Sequence, residues 1–261
     1  MSSWDRLAPW LAGGICAAAS LFFAFNQPIN DDDIFHLHSL WLVGDGLLPY
    51  RDFYEAHPPG LWALFAPLFR LFETPSTLVA FGRTATALAF GATVVFACRL
   101  VRAGTISSLV LALLSLVVLC VCRIWIFRLE TLATLLLFAH LHLLSRHLEA
   151  PGSLWRPTLA AALLAFACTF TVRSAPFLAL QPVATLWAFR AISRRDVALY
   201  FGGVALGAAP AAIFLTVHGL WAACFAWSVE FISSNDVLSW EFVLPLRDVI
   251  LAALLVVAAV F

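Results

Sequence analysis

The chain has 261 residues, 63% of them hydrophobic and 11% charged, with a mean hydropathy of +0.96 and a formal net charge of zero. A soluble domain of this length would be about half apolar and about a quarter charged, so the composition excludes an ordinary soluble fold and predicts an all-α, polytopic transmembrane bundle. The apolar runs do not alternate as the strands of a β-barrel do, and without a basic stripe the sequence indicates no nucleic-acid partner.

Eight apolar spans are predicted in chain order: Leu7–Phe25, Ser76–Cys98, Thr105–Cys122, Leu129–Leu144, Thr158–Val172, Pro176–Phe189, Val197–Val217 and Asp248–Phe261. The first is long, has no clear cleavage site before Asn26, and reads as a retained signal anchor. The last runs to Phe261 without a polar stop, which reads as a chain whose C-terminal part lies further on. Residues 1–261 thus form one transmembrane module, with residues 26–75 as its first outer loop.

The chain contains no lysine, so arginine sets the orientation. Arg6, Arg99, Arg102, Arg146, Arg156, Arg190, Arg194 and Arg195 fall on one side, against Arg51, Arg70, Arg123, Arg128, Arg173 and Arg247 on the other. The positive-inside rule then puts the N-terminus in the cytoplasm of a cell-membrane, multi-pass protein and turns the first long loop outward. The acids are more lopsided. Only Asp5, Glu149 and Asp196 lie inside, and the outer acids cluster between Asp31 and Glu55. Insertion does not require that asymmetry, so it points to chemistry at the outer face as well as to a solvated surface.

Within the outer loop, Asn30 or Asp31 is the expected N-cap of a helix through Ile34, Phe35, Leu37, Leu40, Trp41 and Val43, stopped at Gly44-Asp45-Gly46. A second helix is expected after Pro58-Pro59, from Leu61 to Phe72, interrupted by Pro67. Both are expected to lie in the membrane interface, joined by the stiff polar link PYRDFYEAHPPG. At the first helix's start Asp32, Asp33 and His36 share a face, and Asp52, Glu55 and His57 form a second group. Acids at a helix start are favoured by its dipole, which accounts for Asp31 but not for both groups.

Other residues have plainer readings. Arg83, inside the second span, should point into the bundle or snorkel. His140, His142 and His147 read as packing near the cytoplasmic end. The six cysteines read as small buried hydrophobes, and Gly202, Gly203 and Gly207 as a close helix contact. Trp221, Trp227, Glu230, Asn235, Asp236, Trp240 and Glu241 lie in the last outer loop, as an aromatic belt or a sugar-stacking surface.

The run Asp32-Asp33-Ile34-Phe35-His36, followed by Gly46, Pro49-Tyr50-Arg51-Asp52-Phe53, Glu55-Ala56-His57-Pro58-Pro59 and then APLFRLF, resembles the GT-C superfamily of membrane glycosyltransferases. It looks most like the dolichyl-phosphate-mannose-protein mannosyltransferase and aminoarabinose-transferase type. Strong similarity covers about Asn30 to Phe72. The resemblance implies an enzyme that takes a sugar from a polyprenyl-phosphate donor. It also implies a first-loop acid as catalytic base, which maps to Asp32, with Asp33 as the neighbouring choice. Glu55 maps to the second acid, where the protein mannosyltransferases have Asp, and His57 to the family's His-Pro-Pro position.

The chemistry agrees with those residue types. A carboxylate takes the acceptor's proton, and a lipid-phosphate leaving group needs cationic donors, for which Arg128 and Arg173 are candidates. Asp52 and His36 are candidate substrate contacts. The expected partners are a polyprenyl-phosphate-linked sugar, a lipid, glycan or protein acceptor, and the membrane itself. No cofactor is certain. Imidazole with carboxylate suits zinc or manganese, although His36 and His38 face opposite sides of a helix. Alternative readings are a truncated or degenerate member that binds lipid-linked sugar or a partner without catalysis, and a transporter. The transporter fits less well, since only Arg83 is clearly intramembrane.

Overall fold

A computed structural model describes residues 3–69, 71–72, 74–150, 153, 155–171 and 194–230. The described residues are all-helical, without strands, as composition predicts. The helices are α1 (Ser3–Asn26), α2 (Asp31–Gly44), α3 (Gly60–Phe69), α4 (Pro75–Leu100), α5 (Thr105–Cys122), α6 (Leu129–Glu149), α7 (Trp155–Cys168), α8 (Arg194–His218) and the short α9 (Trp221–Phe225), which continues into a π turn at Ala226–Glu230.

Four of these, α1, α4, α5 and α8, are long and apolar enough to cross a bilayer, and each coincides with a predicted span. The fourth and fifth predicted spans differ from expectation. Helix α6 is long, at 21 residues, but Glu130, His140, His142 and Arg146 lower its apolarity. Helix α7 has 14 residues, about 21 Å of helix against the ~30 Å hydrocarbon core. The predicted spans Pro176–Phe189 and Asp248–Phe261 lie outside the described residues.

The helices run between two ends of one bundle. At one end Asp5 accepts from the Thr105 backbone N–H at 3.2 Å, Arg102 pairs with Glu149 at 2.6 Å, and His147 lies 3.6 Å from Asp196. These contacts tie together α1, α5, α4, α6 and α8. The opposite end holds the polar loop. Inside, glycines let helices approach closely. A Cβ on Gly13 would lie 2.6 Å from the Gly91 carbonyl oxygen, and one on Gly203 or Gly207 would lie 2.1 Å from the carbonyl of Thr158 or Ala162. The α7–α8 contact was legible as a small-residue pattern, but Gly202 faces open space. Helix α5 packs mainly on α1 and stays peripheral, so Cys120 and Cys122 are exposed rather than buried, whereas Cys16, Cys98 and Cys224 are buried.

Helix α2 forms where its caps predict. Asn30 is the N-cap, its side chain accepts from the Asp32 N–H at 3.0 Å, and the Asp33 carboxylate accepts from the Asn30 N–H at 3.1 Å to complete a capping box. Its inner face carries Leu37 and Leu40 into a core with Leu61, Trp62, Leu78, Phe127, Leu129 and Phe170. Helix α3 begins where Gly60 donates to the Thr169 carbonyl at 2.9 Å, so close that a Cβ would sit 1.9 Å from Thr169 Oγ1.

Arg83 turns into the bundle and joins these parts. Its Nε and Nη2 donate to Asp33 Oδ2 at 3.1 and 2.7 Å, and its remaining donors reach the carbonyls of Ala24, Gln27 (3.0 Å) and Pro28 (2.7 Å). Asp33 Oδ1 accepts from the Phe127 N–H at 2.7 Å. Both side chains are buried, at 4% and 0% exposure. Replacing Arg83 by Leu leaves a buried carboxylate uncompensated and is expected to cost roughly 3–5 kcal/mol in detergent-solubilised unfolding. Asp33→Asn combined with Arg83→Leu should cost less than the sum of the two single changes, because the sites are coupled.

Candidate functional site

Three acids of the outer loop end in three different environments. Asp33 is consumed by the Arg83 node described above. Asp32, one residue earlier, points to the surface, where Arg128 Nε and Nη2 reach its Oδ2 at 2.8 and 2.6 Å. Both side chains of that pair are 42% exposed. Arg128 is the N-cap residue of α6, so α6 and α2 present a cation and an acid to each other at the same end of the bundle. Arg128 falls on the predicted outer side, and its ion-pair partner there is Asp32.

Glu55 is fully buried. Its Oε1 accepts from the His57 backbone N–H at 3.0 Å and lies 2.9 Å from His57 Nδ1. With a proton on Nδ1, that contact fixes the His57 tautomer and leaves Nε2 as the other ring nitrogen. Glu55 Oε2 and the buried His36 Nδ1 have no hydrogen-bond partner among the described residues. The His36 and His57 rings stack edge to face at 4.9 Å. Buried polar atoms are normally paired, which sets these two apart from the rest of the loop.

The loop carrying Glu55 and His57 is clamped from below. Asp52 accepts from the Leu48 N–H at 2.8 Å and pairs with Arg51 at 2.9 Å, which holds the turn and keeps its carboxyl below the usual carboxylate range, Arg51 contributing most. Asp52, read as a candidate substrate contact, is thus placed as a turn former. Tyr50 adopts a φ of +67°, in the left-handed region that non-glycine residues seldom occupy. Its buried ring packs with Leu48, Leu215, Leu220 and Cys224, and its hydroxyl donates to the His57 carbonyl. Burial pushes the Tyr50 phenol far above its ordinary range. Tyr54 meets Trp227 edge to face at 5.2 Å, bringing the start of the last outer segment against this loop. Tyr50 entered the sequence analysis only as part of the run Pro49-Tyr50-Arg51-Asp52-Phe53, and nothing local marked its hydroxyl as the partner of the His57 carbonyl.

Arg173 lies outside the described residues, as do Asn235, Asp236, Trp240 and Glu241. Among the described residues no three His, Cys, Asp or Glu side chains are grouped to hold a metal ion. His140, read as interfacial packing, is instead fully buried, with Nδ1 2.7 Å from the Ala160 carbonyl between α6 and α7.

No family model, no curated protein and no solved structure matches this chain.

Burial, and secondarily the neighbouring His57, lowers the His36 pKa from 6.5 to about 4, with Glu55, Glu130 and Asp32 partly opposing. His36 is therefore neutral at pH 7. The unfolded chain protonates first as pH falls, so the stability due to neutral His36 is intact above pH 6.5 and is lost as pH drops towards about 4. Melting temperature in detergent should fall across that window, and His36→Gln should flatten the fall. An unchanged slope in the variant would remove His36 as its source.

Proposed function

We propose that this protein is a GT-C-type glycosyltransferase that moves a sugar from a polyprenyl-phosphate donor to an acceptor hydroxyl at the membrane surface. The observation that carries the reading is Asp32 and Arg128 side by side and half-exposed, at the end of an apolar bundle. A carboxylate suits a proton acceptor, and a guanidinium suits a leaving phosphate. The sequence resemblance over Asn30–Phe72 supports the same assignment.

In this reading the acceptor oxygen attacks the anomeric carbon while the bond from that carbon to the phosphate oxygen breaks. The hydroxyl proton passes to Asp32, and the lipid phosphate departs with the bonding pair, its charge met by Arg128. Asp33 is set apart from this chemistry, since its two oxygens already accept from Arg83, Phe127 and Asn30. Glu55 Oε2 and His36 Nδ1 would satisfy hydroxyls of the bound sugar, with His57 positioned by Glu55 at the rim. The donor is an amphiphile, which accounts for placing the chemistry where α2 and α3 meet the bundle end. We further propose eight crossings of the cell membrane, α1, α4, α5 and α8 among them, with the site end outward.

Asp32→Asn should abolish sugar transfer from radiolabelled prenyl-phosphate sugars while leaving insertion and folding intact. Wild-type-like turnover by that variant, with or without chelator, would defeat the assignment of Asp32. Absence of transfer by wild-type protein with retained binding of the lipid-linked sugar would favour a non-catalytic binding role.

A further inference from the structure

We propose that Arg128 exchanges partners during binding. Asp32 holds its guanidinium until an arriving phosphate takes the guanidinium and releases the carboxylate. The inference rests on the function proposed above and adds a gate to it: the base is freed only when a phosphate is in place.

Two arginines at this end differ in a way that decides which can exchange. Arg83 is 4% exposed, with its donors divided between Asp33 and three carbonyls, so moving it would orphan several buried groups. Among the described residues, Arg128 Nε and Nη2 both bond to one oxygen of Asp32, and the pair is 42% exposed on both sides. Ion pairs of that exposure contribute little to stability, because solvent replaces either partner easily. A phosphate offers two non-bridging oxygens spaced for the guanidinium fork; the sugar-linked diester matches the carboxylate's single charge, and the monoester left after transfer carries up to twice that charge.

Released, Asp32 keeps its place. Its backbone N–H remains bonded to the Asn30 side chain, and its neighbour Asp33 is fixed in the Arg83 node. The exchange therefore moves one arginine side chain and leaves the helix start unchanged. Phosphate binding and carboxylate release are then linked, so removing the carboxylate must strengthen phosphate binding by the same coupling that the pair imposes.

The test is calorimetric titration of the purified full chain in detergent with farnesyl phosphate, with inorganic phosphate in parallel and farnesol as the uncharged control. Arg128→Gln should weaken farnesyl phosphate binding at least tenfold. Asp32→Asn should tighten it about fivefold. Asp32→Ser, a second way to remove the carboxylate, should do the same. Glu130→Gln removes an equal charge two residues from Arg128 and should change affinity less than twofold. Equal tightening by Asp32→Asn and Glu130→Gln would reduce the effect to general charge and overturn the exchange. So would unchanged or weaker binding by both Asp32 variants while wild type binds, a result that leaves the transferase reading standing. Failure of wild type and of every variant to bind any prenyl phosphate would bring down both. A matching pattern with inorganic phosphate supports the exchange and assigns a soluble phosphate as its source.

Discussion

The end of the bundle that carries the polar loop depends on the buried pair of Asp33 and Arg83. Two charges removed from water are costly unless every remaining donor and acceptor is satisfied. Here they are. The guanidinium caps the carbonyls where α1 runs out at Ala24, Gln27 and Pro28, and the carboxylate accepts from the start of α2 and from Phe127 ahead of α6. An apolar pair of similar size could fill the same volume but could not meet the carbonyls at the end of α1. The pair thus fixes where four segments of the chain meet, α1, α2, α4 and the α5–α6 loop.

From that junction follows a division of labour among carboxylates of one loop. Burial with a full set of donors makes Asp33 a structural group. Half-exposure against a single arginine leaves Asp32 chemically available. Full burial leaves Glu55 bonded to His57 through one oxygen, the other having no partner among the described residues. The three differ little in sequence context, and their roles separate only through what surrounds them. The same holds for the arginines, where four partners immobilise Arg83 and one leaves Arg128 free to change contact.

Much of this was legible in the sequence where the signal was local. The N-cap at Asn30 and the stop at Gly44-Asp45-Gly46 follow from side chains bonding to nearby backbone, and they appear as expected. The helices α1, α4, α5 and α8 follow from runs of apolar residues long enough to cross lipid. The length of α7 did not follow, because apolarity alone does not say where a helix ends: Thr169 turns aside to meet Gly60, a contact more than a hundred residues apart in the chain. Long-range pairings were equally hidden. Arg83 was readable as an intramembrane cation but not as the partner of Asp33, and Arg128 showed only its end of the bundle, not its tie to Asp32. The exposure of Cys120 and Cys122 depends on α5 lying at the edge, a fact of packing rather than of composition.

Placement of the available groups is inherited from buried neighbours one or two residues away. Asp32 is held because Asp33 is locked and because α2 is capped at Asn30. His57 is held because Glu55 receives both its ring and its backbone N–H, and because Tyr50, strained at positive φ and packed on Leu215 and Leu220, grips its carbonyl. Holding a non-glycine residue in the left-handed region costs about 1 kcal/mol or more and persists only where surrounding contacts over-determine it. Here those contacts run from the outer loop to the end of α8, so the His57 side of the site is tied to the far part of the bundle and the Asp32 side to the near part. The two halves meet across His36, whose ring touches His57 and whose helix carries Asp32. In the proposed reading, a substrate spanning Asp32 and Glu55 bridges two separately anchored parts of the molecule, which the packing of α2 on α3 joins.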